Sequence, residues 1–114
     1  MSSPITHILT FAGAESYDMS EGSTESDTIE VGFSKSLSIQ CIFTDSVNGL
    51  LEIQSSLDNS NWASDLNTRV KFGGADNVVF NLQDSSVPYY RVKFLYGNGT
   101  GTLTGRFYRK PQSK

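Results

Sequence analysis

Pro88-Tyr89-Tyr90-Arg91-Val92-Lys93-Phe94-Leu95-Tyr96 alternates without a break. Tyr90, Val92, Phe94 and Tyr96 share one face, and Tyr89, Arg91, Lys93 and Leu95 share the other. A period of two over this length predicts a β-strand with one face toward a core. The other face mixes Tyr, Arg and Lys. Rigid aromatics and Arg carry much of the energy of protein interfaces, and aromatic rings can also stack on sugars or bases.

The same period extends to both sides. Downstream, Gly97-Asn98-Gly99-Thr100-Gly101 predicts a hairpin turn, and Thr102 to Tyr108 a last strand. Upstream, Asn77 to Gln83 alternates through Val78, Phe80 and Leu82. Arg69 to Phe72 predicts a short edge strand. Leu50 to Ser56 points Leu51 and Ile53 one way and Glu52 and Gln54 the other. Leu37 to Thr44 carries an inward stripe of Leu37, Ile39, Cys41 and Phe43. Asp45-Ser46-Val47-Asn48-Gly49 between them predicts a turn, with Asn-Gly supplying positive φ. Thr28 to Phe33 and Ile5 to Phe11 complete about eight short strands. Gly13 to Ser26 is rich in Ser, Glu and Gly, lacks periodicity and predicts an exposed polar loop. The fold class is all-β, an antiparallel β-sandwich of immunoglobulin-like or jelly-roll type. Residues 1–26 would form an N-terminal strand and acidic arm, 27–108 the sandwich core and 109–114 a basic tail of a single domain.

Composition sets bounds on function. The chain has 114 residues, enough for one domain. It is 37% hydrophobic and only 18% charged, which argues against disorder. The net charge of −3 gives no general basis for nucleic-acid binding. The charge is uneven, however. Glu15, Asp18, Glu21, Glu25, Asp27 and Glu30 make the start acidic, while Arg91, Lys93, Arg106, Arg109, Lys110 and Lys114 make the end basic. Such complementarity suits contacts between copies or with a partner surface. No segment approaches the apolar length of a membrane span, and the N-terminus lacks the pattern of a signal peptide. Synthesis in a cytosol-like compartment is expected.

Catalytic chemistry finds no constellation. His7 is the only histidine and lies on a strand. Cys41 is the only cysteine and falls on an apolar stripe, as a core thiol would, so no disulfide or Cys-based metal site is expected. The carboxylates are scattered through loops without a glycosidase-like pair or a calcium-loop spacing. No enzymatic activity, cofactor or metal is expected. The most distinctive motif, Ser56-Leu57-Asp58-Asn59-Ser60-Asn61-Trp62, predicts a turn locked by Asp58, with Trp62 folded back over the core edge.

From Leu50 to Tyr108 the turn motif, the Pro-Tyr-Tyr-Arg-Val-Lys-Phe strand, the Gly-rich segment and the final strand together resemble the small β-sandwich modules of tailed-bacteriophage virion proteins. The likeness covers about half of the chain and excludes the polar N-terminal third. It implies a structural role on a particle, as a capsid decoration or auxiliary protein. It also implies a homo-oligomer bound to the major capsid protein or another virion protein, made in the host cytoplasm. Tyr89, Arg91, Lys93, Arg109 and Lys110 are the expected partner contacts. The alternative is a carbohydrate- or cell-surface-binding module with Trp62 and Tyr89 as its stacking platform.

Overall fold

The computed structural model describes residues 6–31, 34–74, 76–83 and 87–111. Among the described residues ten strands are formed: β1 (His7–Leu9), β2 (Tyr17–Asp18), β3 (Thr24–Glu25), β4 (Ile29–Glu30), β5 (Ser34–Phe43), β6 (Asn48–Ser56), β7 (Ala63–Gly73), β8 (Asp76–Gln83), β9 (Tyr89–Asn98) and β10 (Thr102–Pro111). All pairings are antiparallel, in two five-stranded sheets. In the first, β1 and β2 lie in succession along β10, followed by β5 and β8. In the second, β3 and β4 lie in succession along β9, followed by β6 and β7.

Each pair of short strands fills one row, so ten strands make eight rows. In chain order these rows run 1-8-3-6 in one sheet and 2-7-4-5 in the other. This is the jelly-roll arrangement, which decides between the two sandwich types expected from sequence. Only β6 and β7 are joined as a hairpin between full rows. Every other row-to-row connection crosses between sheets.

The core lies where the inward stripes meet. Leu37, Ile39, Cys41 and Phe43 of β5 face Leu51, Ile53, Val92 and Phe94 of the second sheet, and all are essentially inaccessible. Phe43 stacks on Phe72 with centroids 4.0 Å apart, and Phe94 closes on Phe72 at 6.0 Å. Offset aromatic packing of this kind contributes beyond area burial alone.

Several local expectations are corrected. Gly97–Gly101 is a crossover from β9 to β10 and not a hairpin. It packs against another crossover, the one from β5 to β6. A Cβ on Gly101 would sit 2.2 Å from the Thr44 carbonyl oxygen, and one on Gly99 (φ +90°) would sit 2.4 Å from that of Ser46. The glycines are there because two backbones touch. In the β5–β6 connection the positive φ belongs to Asp45 (64°), while Asn48 and Gly49 are already strand. The edge strand expected at Arg69–Phe72 is eleven residues long; of the strand expected over Thr28–Phe33, Ile29–Glu30 is strand and positions 32–33 lie outside the described residues. Arg109–Pro111 continues β10 against β5 and is not part of a loose tail.

The segment Gly13–Ser26 is largely exposed, as expected, but it is anchored to both sheets and not a free loop. It runs from the first sheet to the second, across one side of the sandwich. Met19 is fully buried and its N–H donates to the Gly101 carbonyl at 2.9 Å. Serine hydroxyls stand in for backbone acceptors: Val92 N–H donates to Ser26 Oγ at 2.8 Å and Tyr96 N–H to Ser23 Oγ at 2.9 Å. An edge needs backbone pairing and little apolar content, so a polar sequence can fill it.

Candidate binding surface

The outward face of the second sheet is set by the ladder register. Glu25 is paired with Lys93, Lys93 with Glu52, and Gln54 with Arg91. One row therefore alternates in charge across β3, β9 and β6, and opposite charges directly across a ladder stabilise it. Glu25 Oε1 lies 3.7 Å from Arg91 Nη2 and 3.9 Å from Lys93 Nζ. Arg91 Nε donates to Gln54 Oε1 at 2.6 Å, and Gln54 Nε2 donates to Ser64 Oγ at 3.0 Å.

Arg69 extends the row onto β7. Between the Leu51–Val70 and Ile53–Asp65 pairs, β7 has extra residues that loop out. Asn67 N–H donates to Asp65 Oδ1 at 3.1 Å, and Thr68 Oγ1 donates to the Asp65 carbonyl at 2.6 Å. Thr68 Oγ1 in turn accepts the Ile53 N–H at 2.8 Å, replacing the missing backbone acceptor. The bulge delivers Arg69 to Glu52, which is only 1% exposed although it points away from the core. Burial pushes the Glu52 carboxyl up. Hydrogen bonds from Ser64 and Arg69, with the Arg69 and Lys93 charges, outweigh this and hold it below its ordinary value.

At the β6–β7 hairpin, Asp58 is locked as the sequence predicts. Its carboxylate accepts from the Ser60 N–H (2.9 Å), the Asn61 N–H (2.8 Å), Asn61 Nδ2 (2.7 Å) and Ser56 Oγ (2.9 Å). These donors, led by the Asn61 and Ser60 backbone, hold it far below the usual carboxylate range. Trp62 does not cap the core edge. It is half-buried on the outward face, with the Arg91 guanidinium 4.3 Å from its ring centroid. A cleft of about 340 Å³ opens beside the hairpin, lined by Ser55, Ser56, Leu57, Asp58, Asn61 and Val87 among others.

The expected contact residues are thus brought together in part. Tyr89, Arg91 and Lys93 share this face, and Trp62 joins them through Arg91. Arg109 reaches them indirectly: its Nη1 donates at 2.8 Å to the carbonyl of Glu30, which is paired with Tyr89. Lys110 lies outside the described side chains. The basic groups of the face are engaged by Glu25, Glu52 and Gln54, so it is not a free basic patch.

Sequence reasoning missed the outward face of the first sheet. Ile8, Ile42 and Val79 are 46%, 43% and 50% exposed there. Ile8 and Ile42 line a second cleft of about 370 Å³ with Gln40, Arg106, Glu15 and Ser16. The signal was available: Ile42 breaks the polar half of the Leu37–Thr44 alternation.

Among the described residues, no three or more His, Cys, Asp or Glu side chains gather as metal ligands, and no helix is long and apolar enough to cross a membrane. Burial pushes the Cys41 thiol up to about 12, so it is not a poised nucleophile.

No family model matches the chain, and no curated protein matches it in sequence. Among solved structures, the crystal structure of the SPBc2 prophage-derived protein YomS superposes with a TM-score of 0.63 at 10% sequence identity, over 96% of this chain and 97% of that one. A structure described as "CBM4 structure and function" gives a TM-score of 0.46 at 14% identity, over 79% and 61% of the two chains, and carries no weight. The likeness to YomS establishes a shared β-sandwich fold from end to end.

Proposed function

We propose that this chain is a non-enzymatic structural protein of a phage particle, a capsid decoration or auxiliary protein that binds the major capsid lattice or another virion protein. The observation that carries the reading is the end-to-end fold likeness to a prophage-derived protein, with almost nothing of either chain left over. The charge-paired Tyr89, Arg91 and Lys93 face, flanked by Arg109, suits the polar part of a protein contact. The Ile8 and Ile42 surface suits its apolar part. The protein is made in the host cytoplasm and stabilised on the particle by mass action.

The test is co-sedimentation of purified protein with particles that lack it. Saturable binding at micromolar concentration supports decoration, and no binding sinks it. The alternative, a carbohydrate- or cell-surface-binding module, rests on Trp62 and Tyr89. Arg91 already covers one face of the Trp62 ring, so a sugar would need to displace it or use the other face. Glycan-array signal lost in Trp62→Ala would favour that reading, whereas decoration predicts no signal.

A further inference from the structure

Sheet edges differ sharply in how they are protected. The edges formed by β1 to β4 are pieces of two or three residues, too short to template another strand. The β7 edge is interrupted by its bulge and carries Asp65, Arg69 and Lys71. The β8 edge has none of these devices. It pairs with β5 through eight consecutive residues without a register shift, and the described residues place no strand on its other side. Its sequence, Asp-Asn-Val-Val-Phe-Asn-Leu-Gln, has no Lys, Arg, Pro or Gly. Asp76, whose carboxylate accepts the Asn77 N–H at 2.7 Å, is its only ionisable residue and stands at the end.

We propose that β8 is a self-association edge: two copies pair antiparallel through β8 about a twofold centred on Val79, joining their first sheets into one. The occupant is a second copy because the strand is complementary to itself in this register. On the outward face Val79 meets Val79 of the other copy, and Asn77 meets Asn81. On the core-side face Val78 meets Phe80. Apolar faces apolar and amide faces amide through the central five positions; Asp76 falls opposite Leu82 at each end, and the two Asp76 carboxylates lie far apart, so no like charges oppose. Val79, half exposed in the single chain, becomes covered. One strand pair is smaller than a standard interface of about 1,600 Å². The free protein therefore dimerises reversibly, with a dimer fraction that rises with concentration. This contact is independent of the proposed particle role.

Sedimentation velocity of the full chain over a wide concentration range tests it, with Val79→Lys and Leu66→Lys side by side. Val79→Lys sets two like charges against each other at the twofold and should raise the dimer Kd by at least about tenfold. Leu66→Lys makes the same change on the β7 strand and should leave it unchanged. Both sites are solvent-exposed, and circular dichroism checks that each variant is folded. In Val79→Cys, mild oxidation should give a covalent dimer, because Cys41 is inaccessible. A wild-type chain that stays monomeric throughout, or a dimer that survives Val79→Lys unchanged, overturns the proposal.

Discussion

Arg69 holds Glu52 through two hydrogen bonds to one carboxylate oxygen, from Nε at 2.9 Å and from Nη2 at 2.7 Å. Glu52 is buried on an outward face, and Arg69 is its charged hydrogen-bond donor there. Arg69→Ala should therefore destabilise the protein by about 1–3 kcal/mol, by leaving a covered carboxylate short of donors. Glu52→Gln in the same background should recover part of the loss. Urea midpoints for the four proteins of the cycle measure the coupling.

The same pair sets a pH dependence. Glu52 has a folded-state value held below its ordinary 4.5, so its contribution is present above that value. It is lost as pH falls through the lower folded-state value. The stability gap between wild type and Arg69→Ala should be constant near neutrality and close in acid. A gap that persists unchanged below the carboxylate range would contradict the ion-pair account.

Thr68 carries a backbone role that its side chain alone fulfils. Thr68→Val keeps the shape but leaves the Ile53 N–H without its acceptor, and should cost about 1–3 kcal/mol. Thr68→Ser should cost less. Hydrogen exchange at Ile53 should speed up in Thr68→Val and stay slow in Thr68→Ser.

The sandwich was legible because β5, β6, β8, β9 and β10 each carry an inward apolar stripe, and the residues of those stripes are buried or half-buried. The strand order was not. Gly97–Gly101 has the composition of a hairpin turn, and only the nearness of Thr44 to Asn48 makes it a crossover; local sequence carries no record of that neighbour. Glu52 and Gln54 are polar and point away from the Leu51–Ile53 stripe, a pattern that gives no sign of their burial. Their partners come from elsewhere in the chain: Arg69, delivered by the bulge, on Glu52, and Arg91 and Ser64 on Gln54. Met19 was hidden because one apolar residue among Ser, Glu and Gly has no period to reveal it.

Gly101→Ala probes the crossover directly. Its Cβ would meet the Thr44 carbonyl at a distance no carbon tolerates, so the two connections must separate. A loss of about 1–3 kcal/mol or more is expected from thermal or urea unfolding.

Cys41 offers a reporter of global opening. Its thiol is buried and pushed up to about 12, so a disulfide reagent should label it only as fast as the protein unfolds. Rapid labelling of the native protein would contradict the core packing described above.

The most direct measurement of the proposed particle role is a difference map between reconstructions of particles with and without this protein. Density of the jelly-roll's size, repeated on the head lattice and contacting the major capsid protein, is the predicted result. Identical maps, or added density confined to a tail tip or fibre, would contradict it.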